Sequence, residues 1–496
     1  MLFNSYTFIV FFIVILILHN LRFAWKVKKI NLLIASYIFY AAWNPPFVLL
    51  LWLSTTVDFF VGRALYREDN KRKRKWLLVI SLIGNLGMLS FFKYGGFLLD
   101  NFVTLVNALG VNYHPANPGI ILPAGISFYT FTTLCYTIDM YKKESEPVKS
   151  ILDFSLFVTF FPHLVAGPIV RPNQLVPQFA TPKKATGQQL LNGLFLLSLG
   201  LFMKVVMADT FLAGPADTVF TAHNNLLPLD AWMGVLAFSG QIFFDFAGYS
   251  TCAIGVAMCL GFTLPQNFRF PYAASGFSDF WRRWHMTLSA WLRDYLYIPL
   301  GGNRKGSART YVNLMLTMLL GGLWHGASWT FVVWGALHGT YLCVERWIEQ
   351  IRNKGQLHTS IYIPAEGKKV ARASMVPSFF TSIITNRFIK MLFVFFFVTI
   401  AWVFFRSANF TTAWHLLSSM FGRVNNGAAL LPTLDIIKVS VITIALVGTH
   451  WLMRQSSIAD LIKKLNWKLL GIIWAAMIIL LVLSQKSSDS FIYFQF

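Results

Sequence analysis

The chain has 496 residues, of which 56% are hydrophobic and only 12% are charged. Because a soluble domain has about 25% charged residues, this composition excludes a soluble protein and indicates one that crosses the membrane several times. The net charge of +22 would suggest nucleic-acid binding in a soluble protein, but here the positive-inside rule explains the cations without a nucleic-acid partner. The first apolar segment follows no positively charged region and has no small-residue cleavage site, so we expect it to remain in the mature protein.

Nine apolar windows along the chain predict membrane helices. Several approach the ~20 residues that a helix needs to cross a hydrocarbon core of ~30 Å. The shorter ones are expected to tilt, pair or stop part-way. We therefore predict an all-α polytopic protein with a single membrane domain over residues 1–496. The windows cover residues 2–18, 32–42, 47–61, 76–92, 151–165, 190–206, 388–405, 436–447 and 469–483.

The four cysteines lie in or beside apolar segments. Their spacing matches no metal-ligand pattern, so we predict neither a disulfide framework nor a metal site. Cys252 and Cys259 are seven residues apart, and we expect them to share one face of a helix.

Clusters of basic residues predict the topology. Arg22, Lys26, Lys28 and Lys29 follow the first window with no acid among them, and residues 63–75 carry seven cations against two acids. We predict that both loops are cytoplasmic. The helix-breaking "WNPP" at residues 43–46 is the tip of the hairpin between them, so the N-terminus is expected outside. Two further basic stretches, at residues 282–309 and 346–387, are also predicted to be cytoplasmic.

The segment between these last two stretches contains a histidine inside an apolar run, "GGLWHGASWT" at residues 321–330. Residues 311–344 would make about 50 Å of helix, too long for one upright crossing and too short for two. We predict a re-entrant or broken pair of helices, with the break at Gly321, Gly322 and Gly326. Irregular backbone at membrane depth must be satisfied by protein or by a water-filled cavity, so a cavity is expected beside His325.

Two of the ten histidines are candidates for chemistry. His325 is an ionisable residue at membrane depth, which marks a functional site more often than a hydrogen bond between helices. His285 lies in "SDFWRRWHMTLSAWLRDYLYIPLGGNR", residues 278–304. We read this stretch as an interfacial amphipathic helix, with Ser278 as N-cap and Asp279 paired with Arg283. An interfacial anchor would explain its tryptophans and arginines but not a histidine on the apolar face.

The remaining histidines have structural explanations, with His338 an intermediate case. The sequence has no nucleophile elbow, zinc-protease motif, phosphate-binding loop or dinucleotide fingerprint. A histidine acting as general base on a bound acceptor is the simplest chemistry left.

The residues around both histidines resemble a known family. The runs "LPQNFRFPYAASGFSDFWRRWHMTLSAWLRDYLYIPLGGNRKG" and "NLMLTMLLGGLWHGASWTFVVWGALHG" closely resemble the membrane-bound O-acyltransferase (MBOAT) superfamily, in its bacterial branch of polysaccharide-modifying membrane subunits. The stretches "LPAGISFYTF", "FPHLVAGPIVRP" and "AWVFFRSANF" are also similar to this branch. The resemblance implies about 10 to 12 membrane helices, plus re-entrant or interfacial helices, around a central funnel. It places the catalytic core at about residues 120–345 and the C-terminal helices at about 388–485.

The resemblance also implies roles for individual residues. His325 would be the catalytic residue and His285 the second important one, with no bound cofactor or metal. The acyl donor would be acetyl-CoA from the cytoplasm, and an indole N–H from Trp284 or Trp324, or His285 itself, would orient the acyl carbonyl. The cations expected to bind the phosphates of CoA are Arg282, Arg283, Arg304, Lys305 and Arg309.

The resemblance leaves the acceptor open between an alginate-like exopolysaccharide and peptidoglycan. Related proteins often act through a periplasmic acetyltransferase partner, and we expect one here, in a bacterial inner membrane. Two alternatives differ in class: a transporter or flippase whose histidine and arginines bind an anion without bond formation, and a structural subunit of an envelope complex. We find no inverted repeat to support a transporter, and a structural subunit leaves both histidines unexplained.

Overall fold

The computed structural model describes residues 1–116, 118–222, 225–360, 386–423, 427 and 429–484. In these ranges the chain forms twenty α-helices joined by short turns and by a few π- and 3₁₀-helical segments. The rest of the predicted single domain, including residues 361–385 and 485–496, lies outside them. The helices are α1 (Tyr6–Asn20), α2 (Trp25–Ala41), α3 (Phe47–Arg67), α4 (Lys71–Leu89), α5 (Gly95–Ala108), α6 (Ile126–Lys142), α7 (Ile151–Thr159), α8 (Pro172–Leu175), α9 (Gly187–Leu201), α10 (Gly214–Phe220), α11 (Pro228–Cys259), α12 (Phe277–Trp281), α13 (Met286–Leu292), α14 (Gly306–His325), α15 (Trp329–Ser360), α16 (Arg387–Arg406), α17 (Phe410–Met420), α18 (Thr433–Leu452), α19 (Ile458–Lys464) and α20 (Trp467–Leu483).

Six helical stretches of the described chain are long and apolar enough to cross a membrane, and α1 and α20 are shorter apolar helices. The prediction of an all-α polytopic membrane protein is therefore confirmed, whereas the number of 10 to 12 spans stays a prediction. The six stretches are Phe47–Arg67, Lys71–Ala108, Gly187–Phe220, Pro228–Cys259, Arg387–Arg406 and Thr433–Leu452.

The central helix α11 is the main element that the apolar windows missed. It carries Asp245 in its buried middle, where Lys204 pairs with this carboxylate at 2.6 Å and with Asp209 at 2.9 Å. Lys204 and Asp209 belong to a π-helical segment, Phe202–Ala213, that continues α9. Because opposite charges in contact lower the cost of burial, an apolar helix that carries an acidic residue can still form the centre of a membrane bundle.

Cys252 and Cys259 lie on one face of α11, as predicted. Gly200 of α9 approaches α11 so closely that an added Cβ would be 2.5 Å from the carbonyl oxygen of Gly248 and 2.6 Å from Sγ of Cys252. Gly193 approaches Cys259 in the same way. Small residues therefore bring α9 and α11 into backbone contact, as is common between membrane helices.

The two ends of the helix bundle differ in charge. Helices α2, α4 and α14 begin at one end, here named the basic end, where ion pairs such as Lys143 with Asp69 join neighbouring loops. At the other end, named the opposite end, lie the turn at residues 43–46, the start of α6 and the end of α14. The charge asymmetry is the one that the basic loops predicted.

The segment around His325 forms a pair of helices broken at Gly326, in agreement with the broken pair that was one of the two predicted arrangements, but both helices are longer than the predicted window. Helix α14 begins at Gly306 and α15 continues to Ser360, so both extend beyond the 311–344 window on which the prediction depended. With 20 residues, α14 is about 30 Å long, enough to cross a hydrocarbon core. The break falls at Gly326, directly after His325.

The two other glycines predicted at the break, Gly321 and Gly322, lie inside α14, and Gly322 permits close contact with α15. A Cβ added to Gly322 would lie 2.3 Å from the carbonyl oxygen of Phe331 in α15. A Cβ added to Gly335 of α15 would likewise lie 2.4 Å from the carbonyl oxygen of Met318 in α14. These glycines let the two backbones touch.

The stretch around His285 is not the continuous amphipathic helix that its spacing predicts. Helix α12 ends at Trp281, His285 adopts a left-handed conformation with φ of 42°, and α13 starts at Met286. The backbone is held there by pairing with an extended segment: the N–H of Met286 donates to the carbonyl of Asn267 at 2.8 Å. Ser278 is inside α12, and its N–H donates to the Glu345 carboxylate, whereas the predicted pair of Asp279 with Arg283 is present at 2.8 Å.

A buried carboxylate joins α3, α4 and α6. Asp58 is fully buried and accepts hydrogen bonds from the Ser81 hydroxyl at 2.5 Å, the Asn85 amide at 2.7 Å and the Thr137 hydroxyl at 3.2 Å. Ser54 donates in turn to Asn85 at 2.9 Å. The network satisfies polar groups that would otherwise be costly inside the bundle.

We expect Asp58→Ala to lower the thermal unfolding midpoint of the detergent-solubilised protein by several degrees. The change leaves three buried donors without their acceptor, at about 1–3 kcal/mol for each group that stays unpaired. Asp69→Ala is the matched control, because the Asp69 side chain is 91% exposed and pairs only at the surface. Equal midpoints for the two variants would contradict a stabilising role for the Asp58 network.

Candidate active site

A cavity of about 330 Å³ lies at the opposite end of the bundle, with His325 in its wall. Residues at the chain start, the α2–α3 turn and the start of α6 meet there although they are far apart in sequence. Its other walls are formed by Leu2, Trp43, Lys93, residues 122–128, Val165 and Trp324. The predicted cavity beside His325 is therefore present.

His325 is the last residue of α14 and is only 3% exposed. Its ring is enclosed by aromatic rings: the centroid lies 4.9 Å from that of Trp324, 5.0 Å from Trp334 and 5.5 Å from Phe405. Because these apolar walls limit solvation, they favour an uncharged imidazole that can accept a proton.

His285 lies close to His325, with the centroids of the two imidazole rings 6.5 Å apart. It has no exposed surface, and its ring packs edge-on against Phe246 at 4.6 Å. Burial lowers the pKa of His285 to about 3. Neither ring nitrogen has a hydrogen-bonding partner within the described chain, so the ring can bond to a group that enters the site. The structure thus brings together the two histidines that the sequence singled out.

Lys93 and Tyr94 hold the end of α14, and the sequence reasoning missed both. They belong to a π-helical segment, Ser90–Tyr94. The Lys93 ammonium donates to the carbonyl oxygens of Trp324 at 2.7 Å and His325 at 3.0 Å, and the Tyr94 hydroxyl donates to Leu323 at 2.9 Å. The sequence signal for this site is a lysine inside the apolar run "SFFKYGGF". Lys93 directly follows the predicted membrane window that ends at residue 92.

The two predicted tryptophans differ in position. Trp324 lines the cavity and stacks on Phe131 with the ring centroids 5.2 Å apart. Trp284 is fully buried in a separate aromatic cluster, 5.0 Å from Trp402 and 5.7 Å from Phe280, and does not line the cavity. His338 is fully buried between Trp281 and Trp334, at 5.1 Å and 4.8 Å.

The predicted phosphate-binding cations lie near α12 and at the start of α14, and none of them lines the His325 cavity. Arg304, Lys305 and Arg309 are exposed at the start of α14, which puts Arg309 about 24 Å along the helix from His325. Arg282 is exposed beside α12.

Arg283 is half-buried and already engaged within the protein. Its guanidinium donates to Asp279 at 2.8 Å and to the carbonyl oxygen of Arg454 at 3.1 Å. Burial raises the pKa of Asp279, but the hydrogen bonds from Arg283 and the Ser275 N–H, together with the charges of Arg283 and Arg454, hold that pKa below its ordinary value. Arg454 also donates to Asp279, at 2.9 Å.

A second, more open cleft has a volume of about 430 Å³. Its lining includes Met286 and Thr287, the two residues that follow His285. It contains two arginines that the sequence reasoning did not select, Arg171 and Arg293, which both pair with Asp294. The Arg293 side chain is 63% exposed, so it is accessible to a phosphate. Other lining residues are Ile169, Asn173, Gln174, Pro265, Gln266, Met286, Thr287 and Ala290.

This arrangement can perform acid–base chemistry on a hydroxyl that enters the cavity. His325 lies in the cavity wall, the cationic cleft is lined by Met286, the residue after His285, and a neutral imidazole can remove a proton from a hydroxyl. Within the described ranges, no group of three or more His, Cys, Asp or Glu side chains is placed to hold a metal ion.

Fold and site define a multi-pass membrane protein with a buried histidine in the wall of a cavity. The chain belongs to the membrane-bound O-acyltransferase (MBOAT) family, whose model matches residues 7–377, and it is therefore an acyltransferase. It is 34% identical to a probable alginate O-acetylase AlgI of Pseudomonas putida over 100% of both chains. It is 38% identical to a probable alginate O-acetylase AlgI of Pseudomonas aeruginosa, over 85% of this chain and 75% of the relative. It is 39% identical to a peptidoglycan O-acetyltransferase of Helicobacter pylori, over 81% and 75%.

Proposed function

We propose that this protein transfers an acetyl group from cytoplasmic acetyl-CoA toward an extracytoplasmic cell-surface polysaccharide, across the inner membrane of a bacterium. The observation that carries the proposal is the pair of histidines, 6.5 Å apart, between a cavity at one end of the bundle and a cationic cleft near the other. The names of the relatives, which refer to alginate and peptidoglycan O-acetylation, support acetyl as the group transferred.

In the proposed reaction, His325 accepts the proton of the acceptor hydroxyl as its oxygen bonds to the thioester carbonyl carbon. The carbonyl electron pair moves to oxygen and forms an oxyanion, which collapses as the carbon–sulfur bond breaks. The imidazolium then gives its proton to the departing thiolate of CoA. His285 or the indole N–H of Trp324 orients the carbonyl.

The charge asymmetry supports opposite directions of approach. By the positive-inside rule the basic end faces the cytoplasm, so the His325 cavity opens toward the extracytoplasmic side. The donor would approach from the basic end, with Arg282, Arg304, Lys305, Arg309 and the Arg171–Arg293 cleft as sources of cations for its phosphates. This orientation gives each reactant its own route.

We propose an alginate-like exopolysaccharide as the final acceptor, reached through a periplasmic acetyltransferase partner. Five relatives named as probable alginate O-acetylases, at 34–38% identity, favour this acceptor. Peptidoglycan is the second candidate, because the relative from Helicobacter pylori at 39% identity is named for it. Family membership favours acyl transfer over transport without bond formation.

The direct test uses the full chain reconstituted in liposomes with radiolabelled acetyl-CoA on one side. We expect release of free CoA and labelling of an added oligosaccharide, or of a periplasmic partner, on the other side. Alginate and peptidoglycan oligosaccharides assayed in parallel separate the two acceptors. Movement of label with the thioester intact would instead identify a transporter.

The neighbouring arginines at residues 282 and 283 permit a matched comparison of donor binding. We expect Arg282→Gln to raise the KM for acetyl-CoA about tenfold with little change in kcat, because a charge-assisted hydrogen bond to phosphate contributes about 1.5–3 kcal/mol. Arg283→Gln should instead lower the thermal midpoint, since its guanidinium holds Asp279 and the carbonyl of Arg454. A pure kcat defect in the Arg282 variant would contradict its role in donor binding.

A further inference from the structure

We propose that Lys93 is a third functional residue of the acyl-transfer site, which orients His325 and supplies the positive charge that faces the developing oxyanion. This inference rests on the proposed function. It comes from the position of a lysine that the proposed reaction does not otherwise use.

The first argument is geometric. The ammonium binds the carbonyl oxygens of Trp324 and His325, which belong to the last turn of α14 and have no intrahelical donor. A cation at this end also interacts favourably with the helix dipole. The helix break follows at once at Gly326, so these two bonds fix the residue whose side chain performs the chemistry.

The second argument concerns the third N–H of the ammonium. A lysine ammonium has three donors, and two of them are used by the α14 carbonyls. No further hydrogen bond or ion pair of Lys93 occurs within the described chain, and the residue lines the same cavity as His325. One donor therefore remains for a group that enters the cavity.

The third argument is the composition of the cavity wall. Lys93 is the only Lys, Arg, Asp or Glu among the described residues that line it, and most of the others are apolar. A positive charge with little water around it stabilises developing negative charge more strongly than it would in bulk solvent. Its location in a π-helical segment is typical of functional sites.

The test compares Lys93→Met, which keeps the length of the side chain and removes its charge, with Lys438→Met. Lys438 pairs with Asp435 on α18 away from the cavity, so it controls for loss of one cation. We expect Lys93→Met to lower kcat by about 10²–10³-fold, the usual loss for one such donor, with the KM for acetyl-CoA within about twofold. Lys438→Met should retain wild-type kinetics.

Aminoethylation separates this role from a purely structural one. Lys93→Cys treated with bromoethylamine after folding regains an ammonium at nearly the same position, and we expect it to recover at least about tenfold in kcat. Wild-type protein treated with bromoethylamine in the same way controls for modification of the four native cysteines. Wild-type kcat in Lys93→Met, or no recovery after aminoethylation of a folded protein, would overturn the proposal.

A second readout does not depend on turnover. The rate at which diethyl pyrocarbonate modifies His325, measured by mass spectrometry, should rise at least about threefold in Lys93→Met, because the helix end is released and the neighbouring cation is gone. An unchanged rate would overturn the orienting role. If the wild type transfers no acetyl group, the proposed function fails, and the modification rate still decides whether Lys93 controls His325.

Discussion

His325→Gln and His325→Ala should each lower acetyl transfer by at least about 10³-fold, within the 10²–10⁴-fold range that a positioned general base contributes. The structure gives the physical reason: His325 is the titratable side chain enclosed at the junction of Trp324, Trp334 and Phe405, and it faces the cavity. Removing it leaves the acceptor hydroxyl without a base. Steady-state release of CoA from the solubilised protein measures the effect.

Two further variants make this result specific. His415→Ala changes an exposed histidine on α17 and should leave the rate unchanged. His285→Ala should give a smaller loss than His325→Ala, because His285 orients the carbonyl in the proposed reaction and does not move the proton. Equal transfer by wild type and His325→Ala would rule out its role as general base.

The second large effect is expected from a single methyl group. Gly322→Ala would place a Cβ 2.3 Å from the carbonyl oxygen of Phe331, so α14 and α15 must move apart three residues before His325. Since a displacement of 1 Å can cost about 10²-fold in rate, we expect at least that loss in kcat, with a lower thermal midpoint. The measurement is acetyl transfer per amount of folded protein.

The adjacent glycine provides the control. A Cβ on Gly321 would lie 3.3 Å from Cδ1 of Leu292, the end of a flexible side chain. Gly321→Ala should therefore keep its rate within about threefold. Similar losses in both variants would show that the methyl group acts through helix propensity or expression and not through the contact between α14 and α15.

The sequence predicted the class of fold and the charge asymmetry, because these depend on composition and on local motifs. It also selected the two histidines whose rings meet in the structure, and their chemical roles stay predictions. It placed the helix break in a cluster of three glycines, of which only Gly326 ends α14, because a glycine in an apolar run has two explanations. Gly326 ends α14, whereas Gly322 stays helical and permits close packing, and only the partner helix decides between them.

Other features depend on contacts between distant parts of the chain. The left-handed backbone of His285 is held by pairing with Asn267, which no helical periodicity shows. Helix α11 escaped the apolar windows because Asp245 interrupts it, and the partner Lys204 lies on another helix. Lys93 and His325 are 232 residues apart in the sequence and come into contact only in the folded protein.

The rings around His285 have a consequence for the membrane as a whole. Phe128, Phe246, Phe268 and Trp324 surround a residue with no exposed surface. An open aqueous passage at this point would let protons and ions run down their gradients. In the proposed transfer across the membrane, these packed rings would exclude such a passage, and an uncharged acyl group could pass between the two sides while the membrane keeps its potential.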